Sequence, residues 1–228
     1  MKARPLFLLM LAACLLTTTS CVNFLEKFFI RADGSGSYAF IVDMSQMKSM
    51  IELTGEQMDS EQLMRDLDLD QSQVDELLSK VEGISDAKLE FNESNYNVTL
   101  SFNFTDIDAL NRGLSAYYRD STKIETLTDR IFFEKKGNSF NRLNLNVILD
   151  NFNESLKAQT GEDDTSIAMA KMMMSDSYYQ TEIRFEDEIR SFTNDEYQQN
   201  DSKSISWTKY FFSDSDNQKD ISVKIKLK

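Results

Sequence analysis

Few residues in this chain have the types and spacing to do chemistry. None of the 228 residues is histidine, which removes the commonest general base and the commonest transition-metal ligand. Asp66-x-Asp68-x-Asp70 opens like an EF-hand loop. Its sixth position is Gln71, where glycine must turn the chain, and its twelfth is Leu77, where a bidentate glutamate must close the site. No calcium site is expected there, and Asp214 and Asp216 offer nothing stronger. Met44-x-x-Met47-x-x-Met50 and Met169-x-x-Met172 place thioethers at helical spacing, and thioethers suit Cu(I). A helix burying one flexible apolar face needs the same spacing, so packing is the reading adopted. Met169, Met172, Met173 and Met174 cannot all face one way on a helix, which leaves room for an adaptable apolar surface patch as a lesser reading. Serines are plentiful, but no Gly-x-Ser-x-Gly elbow exists and no imidazole could activate one. Paired carboxylates could serve a glycosidase, yet with 38 acidic residues pairs arise by number alone. The expectation is a protein that is not an enzyme and holds no cofactor and no metal.

The two thiols lie in the opening segment. Lys2 and Arg4 precede an apolar run of 11 residues, Leu6 to Leu16, and then Thr17-Thr18-Thr19-Ser20-Cys21. The run is too short to cross a bilayer, which needs about 20 residues. It has the length of a secretory signal core. The segment resembles a bacterial lipoprotein signal peptide. That resemblance implies removal of residues 1–20, a diacylglycerol thioether on Cys21 and further acylation, palmitate for example, of its freed amine. Leu11-Ala12-Ala13-Cys14 matches the cleavage box more closely. Cys21 is preferred because Cys14 would leave only Leu6 to Ala13 as the apolar core. Val22, where an aspartate would retain the protein, implies transfer to the outer membrane in many Gram-negative bacteria.

Removing residues 1–20 takes two bases and no acid, so the net charge moves from −13 to −15. Nucleic acid is a poor partner for such a chain, because that binding rests on Lys and Arg neutralising phosphates. Anionic headgroups would repel it as well, so membrane association must come from the lipid. With Cys21 acylated no disulfide is possible, and stability must come from packing. The sole proline is Pro5 and no long Gly/Ser tract follows. Residues 21–228 therefore read as one domain.

The elements that must position any site follow from periodicity. Phe24 to Arg31 and the alternation Tyr38, Phe40, Val42, Met44 flank Asp33-Gly34-Ser35-Gly36 as a hairpin. No phosphate-binding spacing follows those glycines. Residues 45–82 read as helices, with Val74, Leu77, Leu78 and Val81 on one face and Gly83 as the stop. From Glu56 to Glu93 there are twelve acids and three bases, as expected of a solvated face. Leu89 and Phe91 begin a strand, Asn92 to Asn95 turn it, and Tyr96, Val98, Leu100, Phe102 and Phe104 alternate in the next. Thr105 or Asp106 caps a helix carrying Ile107, Leu110, Leu114, Tyr117 and Tyr118. Ile131 to Glu134 and Phe140 to Val147 form a hairpin about Lys135 to Asn138. A short helix is expected over 148–158, a loop at Gly161 to Asp164 and a methionine-rich helix over Thr165 to Ser175. Tyr178 to Ile189, Ser204 to Phe212 with Trp207, and Ile221 to Leu227 read as three strands. Lysines on the last suit a terminal edge.

Strands and helices come in blocks, which predicts an α+β fold: an antiparallel sheet of about seven to nine strands with helices mainly on one side. Two stretches resemble a group of small bacterial envelope lipoproteins of unknown function. One is Glu26 to Met47, with Asp-Gly-Ser-Gly-Ser-Tyr and Val-Asp-Met-Ser-x-Met. The other is Ile183-Arg184-Phe185, a polar run, then Ser204-Ile205-Ser206-Trp207. The resemblance carries no functional residue. The expected function is a lipid-anchored, non-enzymatic envelope component, on the periplasmic or surface face, that binds another envelope protein. The alternative is a carrier of an apolar ligand in a cavity lined by Phe102, Phe104, Phe132, Phe133, Phe211 and Phe212.

Overall fold

The computed structural model describes residues 22–46, 48, 71–122, 131–143, 175–212 and 220–228. In chain order the elements are β1 (Asn23–Ile30), β2 (Gly36–Asp43), α1 (Gln71–Leu78), β3 (Ile84–Asn92), β4 (Asn97–Phe104), α2 (Ile107–Thr122), β5 (Phe133–Lys136), β6 (Ser139–Arg142), β7 (Tyr178–Phe185), β8 (Ile189–Phe192), β9 (Gln198–Asp201), β10 (Ser204–Tyr210) and β11 (Val223–Leu227). The fold is α+β, with eleven strands in two sheets among the described residues. One sheet has seven strands in the order β3-β4-β2-β1-β7-β10-β9, and the other has four in the order β5-β6-β11-β8.

The opening hairpin forms as its alternation predicts. β1 and β2 pair antiparallel from Asn23↔Asp43 to Ile30↔Gly36. The turn is closed by the Ser35 amide donating to Asp33 Oδ1 at 2.8 Å, with Gly34 at φ 94°. Gly36 admits no side chain, because a Cβ there would lie 1.9 Å from the Phe29 carbonyl oxygen and 2.6 Å from Phe104 Cζ. β4 extends the sheet on β2, again antiparallel. Its inward residues Val98, Leu100, Phe102 and Phe104 are all buried, which is the face their period of two specifies. Asp106 starts α2 by accepting the Ala109 amide at 2.7 Å, an N-cap to the third helical residue. α1 is held to β3 by Gln71, whose Oε1 accepts the Leu89 amide at 2.5 Å.

Four expectations are corrected. The main sheet is not purely antiparallel, since β1 and β7 run parallel from Phe24↔Tyr179 to Ile30↔Phe185. Alternation reports which face is buried and carries no information on a partner's direction. Tyr178 to Ile189 is not one strand. It bends at Glu186-Asp187-Glu188, where the Glu186 amide donates to the Ile30 carbonyl at 2.9 Å and the Glu186 side chain accepts the Ala32 amide at 3.0 Å. The chain then passes from the larger sheet into the smaller as β8. β11 is not an edge, because β6 and β8 pair with it on either side. Its exposed Lys224 and Lys226 mark a solvent face, which an interior strand can also have. Finally, the polar run before Ser204 contains β9, whose four residues are all exposed and therefore lack any apolar period.

One core joins both sheets and α2. Phe133 of β5 meets Phe28 of β1 with ring centroids 4.8 Å apart, and Phe140 of β6 meets Phe185 of β7 at 5.3 Å. Such aromatic pairs contribute about 0.5–1.5 kcal/mol beyond the area they bury. Trp207 is 1% exposed and donates its indole N–H to Glu196 at 3.2 Å.

Candidate functional site

Two polar features stand out in this frame, one inside it and one at its end. The interior one begins on β1, where Glu26 shares the inward face with Phe28 and Ile30 and is 2% exposed. A charge there must be paired and hydrogen-bonded. Arg142, the last residue of β6, supplies the counter-charge at 2.8 Å. Tyr118 of α2 donates to Glu26 at 2.7 Å, Tyr38 of β2 at 3.2 Å, and Tyr179 of β7 donates to the second oxygen. Arg142 also donates to Thr181 Oγ1 at 2.5 Å and to the Tyr179 hydroxyl at 3.2 Å. Its guanidinium lies 5.4 Å from the Phe28 ring centre and 5.3 Å from that of Phe133.

Burial first, and then the Glu26 charge, push the Tyr38, Tyr118 and Tyr179 hydroxyls well above the ordinary phenol range. Burial opposes the charge on Arg142, but Glu26, Tyr179 and Tyr197 together more than offset it, and the net direction is upward. This cluster joins β1, β2, α2, β6 and β7. With Glu26 at 2% and Arg142 at 5% exposure it has no face for a substrate, so it acts as a pin between layers.

The second feature is a cleft of about 440 Å³. The sheet register fixes where it lies. Asn23, Asp43, Asn97 and Tyr178 fall at one end of the larger sheet, and Ile30, Gly36, Phe104 and Phe185 at the other. The cleft opens at the second end, between the β1–β2 turn, the start of α2 and the β5–β6 turn. Asn111 forms part of its wall. Its Oδ1 accepts the Phe132 and Phe133 amides, each at 2.9 Å, and its Nδ2 donates to the Phe133 carbonyl at 2.8 Å, so the side chain holds β5 to α2. Around the cleft Asp33, Asp106, Asp108 and Glu134 face Lys135 and Lys136, an acidic excess. Hydrogen bonds from Ser35 hold the Asp33 carboxyl below its usual range. Ile131, also on this rim, is 51% exposed. The arrangement offers a mixed polar and apolar contact surface.

Cys21 and Cys14 lie outside the described residues. So do Asp66, Asp68, Asp70, Asp214, Asp216, Met47, Met50 and the set Met169, Met172, Met173 and Met174. Met44 is 6% exposed and packs in the core. Among the described residues no group of three or more acids or cysteines is gathered to hold a metal ion. No described helix is long and apolar enough to cross a membrane. Of the six aromatics considered as a cavity lining, Phe102, Phe104, Phe132, Phe133 and Phe211 are core residues and Phe212 packs against them. Only Phe133 reaches the cleft. Sequence reasoning missed the Glu26–Arg142 cluster, although a signal was present: Glu26 stands at an inward position of an apolar strand, and Arg142 does so two residues after Phe140.

No protein-family model matches the chain. No curated protein matches it either. Among solved structures, the chain is similar to the NMR structure of the folded domain of the Mycobacterium tuberculosis LppM protein. The TM-score is 0.41 at 11% identity, over 92% of this chain and 90% of that one. At that level of likeness no residue and no role passes from one protein to the other.

Proposed function

We propose that this protein is a lipid-anchored, non-enzymatic component of the bacterial cell envelope, held through Cys21 in the outer membrane, which binds a protein partner. The observation that carries this reading is the position of β1. It is the middle strand of the seven and begins at Asn23, so only Val22 separates it from Cys21. An anchor placed there holds the domain against the bilayer with no linker. The eight residues of β1 then set the cleft roughly 25 Å away, at the end facing the aqueous compartment. That end, with its acidic cleft and exposed Ile131, is where a partner would be met.

The test is a native mass spectrum of the protein extracted from its own membranes in mild detergent. The expected result is an N-terminal mass carrying acyl chains on Cys21 and a co-migrating polypeptide. An unmodified Cys21 would end the anchor reading. A sharp added mass of a small apolar molecule would replace partner binding with carriage of a ligand.

A further inference from the structure

A second surface emerges when the tether is followed to the near end of the sheet. Two Cα–Cα steps separate Cys21 from Asn23, so the start of β1 lies within about 7–8 Å of the acylated residue. Whatever side chains cluster at this end of the sheet are therefore brought to headgroup depth. Besides Asn23, Asp43 and Asn97, that end carries three tyrosines, Tyr96, Tyr178 and Tyr210. Tyr178 and Tyr210 end paired strands, with ring centroids 5.9 Å apart, and Tyr210 is 44% exposed. On the other flank Tyr96 precedes β4, packs against Phe91 at 5.9 Å, and has the Lys48 amine 5.8 Å from its ring centre. Neighbouring strands are about 4.8 Å apart, so Tyr210 and Tyr96, each two strands from β1, lie roughly 10 Å to either side of the tether.

We infer that Tyr96, Tyr178 and Tyr210 form a rim that rests in the lipid interface and sets the angle at which the domain stands on the membrane. Tyrosine suits that depth because its ring is apolar and its hydroxyl is wet. A net charge of −15 after removal of residues 1–20 cannot draw the domain onto anionic headgroups, so the contact depends on these rings and does not need anionic lipid. The inference rests on the anchor reading of Cys21 and extends it from the lipid to the folded domain.

The test uses the lipidated protein of residues 21–228 with Tyr210→Trp, in phosphatidylcholine vesicles with and without chain-brominated phosphatidylcholine. Trp207 is 1% exposed and serves as an internal reference. The matching distal variant is Ile131→Trp. The N-terminal peptide mass is read on the same samples. With Cys21 acylated, bromolipid is expected to remove about half or more of the emission added by Tyr210→Trp and to leave Ile131→Trp unchanged. Acylated protein whose Tyr210→Trp emission is unaffected would overturn the rim while leaving the anchor intact. A free Cys21 would overturn both.

Discussion

Glu26 shows what one inward charge demands of its surroundings. At 2% exposure its desolvation is offset only because four side chains from four other elements converge on it. Breaking such a pair leaves an uncompensated buried charge, so Glu26→Ala is expected to cost about 3–5 kcal/mol, read as a lower urea midpoint at unchanged m. The harder case is the double variant Glu26→Leu/Arg142→Met. For an isolated ion pair that exchange is often neutral. Here Tyr179 would lose both partners of its hydroxyl, which is buried. An orphaned buried hydroxyl costs about 1–3 kcal/mol, so the double variant is expected to remain less stable than the parent protein by that amount. Equal stability of the two would reduce the tyrosines to spectators.

At the scale of elements, β1 and β2 leave no room for a Cβ at Gly36. An added methyl would have to displace the Phe29 backbone, so Gly36→Ala is expected to cost about 3 kcal/mol. Gly137, at φ 57° in the β5–β6 turn, has nothing within 4 Å of such a Cβ. Gly137→Asn, which tolerates that backbone, is expected to cost less than about 1 kcal/mol. Equilibrium unfolding of both variants separates close packing from backbone preference. The elements with the cleanest alternation were legible in the chain: the β1–β2 hairpin, β4 and the capped start of α2 all fall where period and capping chemistry put them. What was not legible depends on partners distant in sequence. Tyr179 and Thr181 alternate inward whether their neighbour runs parallel or antiparallel. The lysines of β11 face solvent equally in an edge or an interior strand. The cleft draws its walls from two turns and the start of a helix, and no local pattern announces such a meeting.

The molecule as a whole should respond to alkali through its tyrosines. In the unfolded chain phenols titrate near pH 10, whereas Tyr38, Tyr118 and Tyr179 hold their protons well above that in the fold. Their stabilising contribution is complete below about pH 10 and is lost as the pH rises past it, because the unfolded chain releases these protons first. The expected outcome is a tyrosinate absorbance that rises in two steps, the second coinciding with loss of far-ultraviolet circular dichroism. A single step near pH 10 involving all 8 tyrosines, with the fold intact, would contradict this.

The parallel pairing of β1 with β7 also bears on how the protein is made. Phe24 and its partner Tyr179 are 155 positions apart, so a chain emerging N-terminus first presents β1 long before the strand that completes it. Closing so large a loop is entropically costly and slow. Until then the early hairpin exposes an open row of amides and carbonyls on its β7 side, a template for unwanted pairing. Synthesis from the N-terminus thus builds in a waiting period. During it the β7-facing edge of β1 is the defined liability of the incomplete fold.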